Sequence, residues 1–505
     1  MAAAAAAAAG QPPQLLDLPE DVLLRIALQL SLQGQLLLAG VCRKLRQMCA
    51  GPSELWRVVK ATLRAEEGAD AALQQLVRFR RWLRPRLPAV EHLQLSMWTP
   101  LTHTAPVALL DELLAGSGAG LPHQPPLPLA RLTIPWLGAV DFHLSTLAHL
   151  PALRSVAFYD TRLRVFGGPL APGEQAAQQG GPLPSQPPLT DFTVDGGQLH
   201  FDVQVQGGWL PLSVTALRLT ECQLRDLPRG LLSSLTNLRS LKLHRNELGL
   251  ASLSASLQHC TALQMLNLSC CQLRRFPSAV SALTRLKILY LHNAFSPNYM
   301  PPEAAWDALR PLTALRFLAV SGNSLPALPP AVVQMSHLLA LHCEQNSFAA
   351  LPPGPYLCSL RELLLGWHMA LASPAALQAA TRLTRLVLWR TSLQDGPMDP
   401  SLDLPAVAGE PLVNALAAMP ALRRVDDSMK HPGAYLLWPA VAQVMWRVGQ
   451  RCPHLQLGVL QRKSIGWGMS RLRQAEQEEA EEEQRRQQAQ QGAQELEQGQ
   501  ADAGC

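Results

Sequence analysis

Apolar residues recur at a fixed spacing through the middle of the chain. The stretch 238–248 reads LRSLKLHRNEL, which is the pattern L-x-x-L-x-L-x-x-N-x-L. This alternation predicts a short β-strand on which Leu241 and Leu243 face a core while Lys242 points away from it. At Asn246 the chain turns, and the side-chain amide can bond backbone groups that no neighbouring strand reaches. Each copy of the pattern therefore predicts one strand followed by one turn.

The pattern recurs often enough to define an architecture. The steps from Leu217 to Leu241, Leu266 and Leu289 are 24, 25 and 23 residues. Further copies, some without the asparagine, begin at Val214, Leu263, Leu286, Leu315, Leu338, Leu360 and Leu383. The pattern and its period resemble the leucine-rich repeat, in which stacked repeats each contribute one parallel strand to a solenoid. The resemblance implies an α/β solenoid of the leucine-rich-repeat horseshoe type.

The repeats lose their regularity toward both ends of the series. Strand-like segments without the asparagine turn begin at Val90, Leu129, Leu153 and Leu189, and terminal copies begin at Leu422 and His454. Stretches rich in Gly, Pro, Gln and Ala at 116–128 and 167–188 predict surface loops. In the central repeats an L-x-x-L-P pattern, as in 325–329, favours a short 3₁₀ or extended return between strands. We expect repeats over residues 90–460 and a solvated Glu/Gln-rich tail over 470–505.

Residues 18 to 56 have the periodicity of a small helical domain instead. Pro19 followed by Glu20 is a helix-start signal, because proline suits the first turn and an acid suits the positive helix end. Apolar residues then follow at helical spacing, namely Val22, Leu23, Ile26 and Leu30. Leu36 opens a second predicted helix, and Trp56 supplies an aromatic anchor. So small a core leaves apolar surface uncovered, which predicts a partner.

Three segments of this domain follow a known motif. They are Leu18-Pro19-x-Asp21-Val22-Leu23-x-x-Ile26, then Val41-Cys42-Arg43-x-x-Arg46, then Leu55-Trp56. Their order and spacing resemble the F-box, which predicts an F-box domain over residues 15–60. The resemblance implies docking on the Skp adaptor of a cullin–RING ubiquitin ligase, with a C-terminal domain that captures the substrate. Carried over by position, the adaptor contacts would be Leu18, Pro19, Val22, Leu23, Ile26, Leu30, Leu36, Val41, Cys42 and Trp56.

The segment 57–86 is predicted to be helical and ends in clustered arginines and aromatic residues. Arginines interleaved with aromatic rings could neutralise phosphates and stack on bases. The alternative is an amphipathic helix that leaves the arginines in solvent and buries Leu73, Leu76, Val77 and Leu83. A basic helix face is usually only a solvated face, which favours the alternative. We therefore expect a helical linker over residues 61–89 and no nucleic-acid partner.

The composition of the chain indicates the kind of cellular compartment in which it folds. The chain has 505 residues, a formal net charge of +5 and ten cysteines. The cysteines form no C-x-x-C pair, which favours free thiols in a reducing compartment over disulfides or zinc. No Lys or Arg precedes Arg25, so the alanine-rich residues 1–14 predict a disordered leader and not a signal peptide. No apolar run of about 18 residues occurs. We expect a cytoplasmic and/or nuclear protein without a membrane partner.

The outward positions of the repeat strands are the candidate substrate-binding residues, because a ladder of parallel strands presents them side by side. They are Arg218, Lys242, His244, Tyr290, His292, Phe317, His342, Glu344, Leu364, Trp367, Val387 and Trp389. The early members are basic and the later ones apolar, which predicts a protein partner with an acidic end and an apolar anchor. The alternative is scattered exposure without a role.

No cofactor or catalytic group is predicted. The histidines 244, 292 and 342 stand two strands apart, roughly 10 Å, which is too far for shared zinc bonds of about 2.0 Å. No nucleophile–base or paired-carboxylate arrangement stands out from the repeats. The sequence thus predicts a non-enzymatic substrate receptor of a Skp–cullin–F-box ligase. Two alternatives stay open: a repeat scaffold without a ubiquitin role, whose N-terminal helices cap the first repeat, and a receptor that needs a small-molecule ligand.

Overall fold

The computed structural model describes residues 20–30, 34, 37, 41, 47, 56–63, 68–97, 127–135, 139–144, 147, 150–166, 188–201, 210–228, 230–248, 250–389, 409–428 and 439–459. The described residues fall into two compact units. The first comprises residues up to Leu286 together with Asn293–Pro301, and the second comprises Lys287–His292 together with residues from Pro302 onward.

The first unit is built on parallel strands. These are β1 (Val58–Leu63), β2 (His92–Met97), β3 (Arg131–Pro135), β4 (Ala139–His143), β5 (Ser155–Phe166), β6 (Asp191–Phe201), β7 (Ala216–Thr220), β8 (Ser240–Lys242) and β9 (Met265–Asn267). They pair in the order β1-β2-β3-β5-β6-β7-β8-β9, and β4 adds to the second half of β5. The helices are α1 (Glu20–Leu28), α2 (Gly68–Leu83) and α3 (Leu250–Leu257), with 3₁₀ turns at Arg84–Ala89 and Ser278–Ala282.

The second unit is built on the same plan of parallel strands. Its strands are β10 (Ile288–Tyr290), β11 (Phe317–Ala319), β12 (Ala340–His342), β13 (Glu362–Gly366), β14 (Arg385–Trp389), β15 (Arg424–Ser428) and β16 (Gln456–Val459), parallel and paired in sequence order. Its helices are α4 (Pro330–Val333), α5 (Tyr356–Ser359), α6 (Trp367–Ala372), α7 (Pro374–Ala379), α8 (Glu410–Ala417) and α9 (Pro439–Arg451), with a 3₁₀ helix at Glu303–Leu309. The predicted leucine-rich-repeat fold is confirmed.

The consensus leucines form the core, as the alternation predicts. Leu241 and Leu243 are fully buried, whereas Lys242 between them is half-buried. The short L-x-x-L-P returns also follow the prediction. After Pro277 the chain makes one 3₁₀ turn, and after Pro329 it makes the four-residue α4.

The asparagine turn works through four hydrogen bonds. Oδ1 of Asn246 accepts from the backbone N–H groups of Cys222 and Leu224, at 3.0 and 3.1 Å, in the preceding repeat. Its Nδ2 donates to the carbonyls of Leu219 and Leu243, both at 2.8 Å. The buried amide thus ties each turn to the one before it and leaves no polar atom of its own unpaired.

Asn346 repeats this arrangement in the second unit. Its Oδ1 accepts from Asn323 N and Leu325 N, both at 3.1 Å, and its Nδ2 donates to the carbonyls of Val320 and Cys343, both at 3.0 Å.

Two features of the first unit depart from the sequence prediction. Residues 57–86 were expected to be helical, but Val58–Leu63 is strand β1, which pairs with β2. The period in this segment is two, because Val59 and Ala61 are buried while Val58 and Lys60 are exposed. The strands β5 and β6 are also twice the usual repeat length, and each bends in the middle. Asp160 and Gly196 have positive φ there, and a Cβ at Gly196 would collide with the Asp160 carboxylate.

Candidate partner-binding surfaces

Helix α1 and the turn after it carry apolar side chains on one face. Leu23 and Ala27 are buried at 1% and 0% exposure, whereas Ile26 and Leu30 are each 38% exposed. These four positions follow the i, i+3, i+4, i+7 spacing of a single helical face. Val22 is half-buried. Leu23 and Ala27 pack within the unit, and Ile26 and Leu30 lie at the partly exposed edge of the same face.

Two more exposed apolar side chains follow in the same segment of the chain. Leu37 and Val41, again four residues apart, are each 68% exposed. Ten large hydrophobic side chains are exposed among the described residues, and four of them lie between positions 26 and 41. We call Ile26, Leu30, Leu37 and Val41 the apolar patch. So dense a cluster in so short a stretch is typical of a partner site, since single exposed hydrophobics are normally scattered.

Trp56 is buried in an aromatic cage and is not part of this patch. Its ring lies edge-on to Trp82 with centroids 5.2 Å apart, and Phe79 stacks on Trp82 at 5.6 Å. The guanidinium carbon of Arg86 lies 4.9 Å from the Trp56 centroid and 4.5 Å from that of Trp82. Leu23 and Trp56 therefore face the interior of the described chain, and their predicted adaptor contacts stay a prediction. Predicted contacts that lie outside the described residues are Leu18, Pro19, Leu36 and Cys42.

The cage also decides between the two interpretations of the arginine-rich helix. Leu76 and Leu83 of α2 are buried, as the amphipathic interpretation requires. Val77 is 49% exposed, so its predicted burial is wrong, and the side chain of Leu73 lies outside the described residues. Because the aromatic rings of α2 pack inward, they do not form a stacking surface between the arginines.

The outward face of the first unit carries three bases close together. Arg218 on β7 lies opposite Lys242 on β8 in the strand register, and His244 follows two residues later on the same side. We call Arg218, Lys242 and His244 the basic cluster. All three are half-buried. Nη1 of Arg218 lies 3.7 Å from Oδ2 of Asp195 on β6, and the same carboxylate accepts a hydrogen bond from Thr220 Oγ1.

Burial and mutual repulsion act on the two titrating members of the basic cluster. Burial lowers the pKa of the Lys242 ammonium, the neighbouring Arg218 charge lowers it further, and Asp195 partly opposes both. Burial also lowers the pKa of His244, and the charges of Lys242, Arg218 and Arg245 outnumber that of Asp195. Nδ1 of His244 is buried and accepts or donates no hydrogen bond among the described residues. The cluster therefore holds cations where they are poorly compensated.

The later outward positions were expected to be exposed, and that expectation is wrong for most of them. Phe317, Leu364, Val387, His342, Glu344 and Trp367 are all at most 6% exposed. Neighbouring side chains cover one another: the Phe317 ring lies 4.7 Å from the rings of both Tyr290 and His342, and Leu364 packs on Val387. Tyr290, His292 and Trp389 are half-buried. Whether these residues bind a substrate stays a prediction.

Trp367 is buried for a separate reason. Its Nε1 donates to Oδ1 of Asp427 at 3.1 Å. Asp427 pairs in register with Leu388 and so occupies a core leucine position of its repeat. The indole thus donates to a carboxylate that is buried in the core, where a polar group needs a hydrogen-bond partner.

Charged side chains run across the outward face of the second unit in a continuous chain. His342 Nε2 lies 3.4 Å from Glu362 Oε1, and Arg385 Nη1 lies 3.5 Å from Glu362 Oε2. Arg385 Nε donates to Asp426 Oδ2 at 2.9 Å, and Arg424 Nε donates to Asp426 Oδ1 at 2.8 Å. We call these residues the charge ladder. Glu362 and Asp426 are buried and Arg424 is exposed. Acidic and basic side chains alternate along the ladder.

The sequence prediction missed Glu362, Arg385 and Asp426, which carry this ladder. The signal was available, since all three stand at outward positions of the same strand alternation. Gly458 is a second clue. It pairs in register with Asp426, and a Cβ at this position would collide with the Asp426 carboxylate.

Two further findings concern the described residues alone. Among them, no three His, Cys, Asp or Glu side chains come together in a way that could hold a metal ion. None of the described helices is long and apolar enough to cross a membrane.

Comparison with known proteins supports the assignment of both the N-terminal domain and the repeats. A family model described as F-box-like matches residues 15–60. Mouse podocan-like protein 1 is 29% identical over 232 residues, covering 42% of this chain and 39% of the relative. Mouse podocan is 27% identical over 279 residues, covering 49% and 44%. Chicken keratocan is 30% identical over 145 residues, covering 28% and 40%. The chain thus spans about two fifths of the length of these relatives.

Among solved structures, a leucine-rich-repeat protein of Leptospira interrogans aligns with 79% of this chain and all of its own at 14% identity and a TM-score of 0.39. Three observations on the chain agree: the match at residues 15–60, the repeat spacing and the parallel strands. This chain carries an F-box-like domain followed by leucine-rich repeats.

Proposed function

We propose that this chain is the substrate-recognition subunit of a Skp–cullin–F-box ubiquitin ligase. The apolar patch supports the proposal most directly, because it lies within the segment that matches the F-box-like model. In this proposal the patch docks on the Skp adaptor, and the repeats hold a protein target. The chain performs no chemistry itself. It raises the local concentration of a target lysine near a ubiquitin-loaded enzyme that the complex recruits elsewhere.

The patch has the character of a docking surface for a preformed apolar groove. Ile26 lies on α1 and Leu30 two residues beyond its end, on the same helical face as the buried Leu23 and Ala27. The exposed pair is therefore presented by a segment that is already packed in the unit, so that docking orders little additional chain. Helix-in-groove contacts commonly use anchors at this spacing.

The target side of the proposal rests on the basic cluster. Arg218, Lys242 and His244 are accessible on the outward face of the first unit, whereas most predicted anchors of the second unit are buried. We place the substrate contact on the first unit for that reason. The proposal implies action in the cytoplasm or the nucleus, where these ligases work.

Co-purification with the Skp adaptor tests the proposal. The chain is co-expressed with the adaptor as wild type, as the double variant Ile26→Asp/Leu30→Asp, and as Leu212→Asp. Leu212 is 50% exposed in the same unit and serves as the matched control. We expect wild type and control to retain the adaptor and the double variant to lose it, because two carboxylates would be buried without partners at the interface.

Two results would contradict the proposal. Retention of the adaptor by the double variant would show that the apolar patch is not the docking surface. A well-folded wild type that never binds the adaptor would remove the ligase role and leave a leucine-rich-repeat interaction scaffold.

A further inference from the structure

Four hydrogen-bond donors converge on the outward face of the first unit. The strand register places Arg218 of β7 opposite Lys242 of β8, and Lys242 opposite Asn267 of β9. Neighbouring strands lie about 4.8 Å apart, so the three side chains form one short row. His244 stands at the next outward position of the same chain segment. Oδ1 of Asn267 accepts from Ser269 N at 3.0 Å, which leaves its Nδ2 as a donor beside Lys242.

The charges around this row do not balance. Arg218 shares Asp195 with Thr220. Arg245, at the edge of the face, is paired with Glu221. Among the described residues Lys242 forms no ion pair, and burial together with Arg218 opposes its charge. With His244 neutral at pH 7 because its pKa is lowered, the face carries one positive charge without a counter-ion.

We propose that the basic cluster and Asn267 form a binding site for a single carboxylate group of the substrate. The proposal rests on the proposed function, in which this face holds a protein target. A carboxylate has two oxygens that accept from several donors at once, and here an ammonium, an amide and a guanidinium are aligned along one row. The carboxylate belongs either to an Asp or Glu side chain or to a free chain terminus, since both carry the same group.

The net charge of the site favours a carboxylate over a phosphate as its ligand. A phosphoryl group brings a charge near −2 at neutral pH, but the site offers one uncompensated positive charge beside the fixed carboxylate of Asp195. A monoanion neutralises the surplus, whereas a dianion would overcompensate it.

Fluorescence anisotropy with defined peptides tests the site on the chain alone and on the chain with the adaptor. Four fluorescein-labelled hexapeptides serve as probes: hexaglutamate with an amidated C-terminus, hexaserine with a free C-terminal carboxylate, hexaserine with an amidated C-terminus, and hexaphosphoserine with an amidated C-terminus. Binding of the first identifies a side-chain carboxylate, and binding of the second alone identifies a chain terminus. The amidated hexaserine has neither group and should not bind.

Variants connect the binding to named residues. Lys242→Glu should raise the dissociation constant of the bound probe at least about tenfold, because the loss of a hydrogen bond to a charged group weakens binding by more than a factor of ten. Asn267→Asp, which is nearly isosteric, should weaken it in the same direction. Lys60 is exposed on strand β1. Lys60→Glu makes the same change of charge as Lys242→Glu and should leave binding of the probe unchanged.

Three outcomes would overturn the inference. They are no binding of either carboxylate probe, equal binding by Lys242→Glu and wild type, and a Lys242-dependent preference for hexaphosphoserine over hexaglutamate. Because each variant is also checked for adaptor co-purification, failure of the carboxylate site is distinguishable from failure of the proposed ligase role.

Discussion

The outward faces of the two units use equivalent strand positions in opposite ways. On the first unit, Arg218, Lys242 and His244 remain partly accessible with Asp195 as their nearby carboxylate. On the second unit, Glu362 and Asp426 alternate with bases, and both carboxylates are buried. The core leucines and the asparagine turns are the same in both. The framework is therefore common, and the residues between the leucines decide whether a face is satisfied by itself or open to a partner.

This difference indicates which of the two faces can bind a partner at a low cost in free energy. A buried and internally paired surface must break its own contacts before it binds anything, which costs more than the new contacts readily return. A face with surplus charge gains from a partner at once. The comparison therefore favours the first unit as the receptor surface and the second as a structural element.

The strongest test of the comparison removes one carboxylate from each face. In Asp426→Ala, Arg385 and Arg424 lose their shared partner, and the Arg385 side chain is only 15% exposed. We expect a loss of about 3 kcal/mol in the free energy of unfolding, because the largely buried Arg385 keeps only its longer contact of 3.5 Å with Glu362. Chemical denaturation followed by circular dichroism measures it.

The matched change on the first unit is Asp195→Ala. Asp195 is 33% exposed and its ion pair with Arg218 is long. This variant should lose no more than about 1 kcal/mol, as is usual for solvated pairs. Equal losses in the two variants would mean that the two faces do not differ in the way described.

A second pair of variants asks whether the framework is truly common to both units. Asn246→Ala removes four hydrogen bonds and Asn346→Ala removes five, and each leaves two backbone N–H groups without their acceptor. We expect each to cost about 2–4 kcal/mol, since every buried orphaned donor costs about 1–3 kcal/mol. Exposed Asn237→Ala, which loses one bond to Leu212 O, is the control. Strongly unequal losses at Asn246 and Asn346 would contradict a shared turn.

Much of the fold could be predicted because the repeat constrains it locally. The alternation of Leu241, Lys242 and Leu243 determines a strand and its buried face, and Asn246 determines the turn. Strand β1 was not predicted, because it lies outside the repeat consensus and comes directly after a segment with helical periodicity. The strand extension at Asp160 and Gly196 also has no counterpart in the repeat.

The candidate sites could be predicted only in part. Alternation tells which side chains point outward, but not whether large neighbours then cover them, as Tyr290 and His342 do with Phe317. Charge pairing depends on which residues the register brings side by side. Glu362 and Arg385 are 23 positions apart in sequence and adjacent in the sheet. The apolar patch was better predicted, because helical spacing alone relates Ile26 to Leu30.

The smallest expected effect concerns the pH dependence of the first face. The pKa of His244 is lowered in the folded protein, chiefly by burial, and the charges of Lys242, Arg218 and Arg245 also lower it while Asp195 raises it. The unfolded chain therefore binds this proton more readily, so stability falls as the pH drops below about 6.5, the usual histidine value. Replacing His244 with Asn should remove this component, by less than about 1 kcal/mol after solvent screening. Exposed His259→Asn, in the same unit, is the control for replacing a histidine. Unfolding measured at pH 7.5 and pH 5 compares the variants, and a profile unchanged by His244→Asn would show that the basic cluster does not oppose protonation.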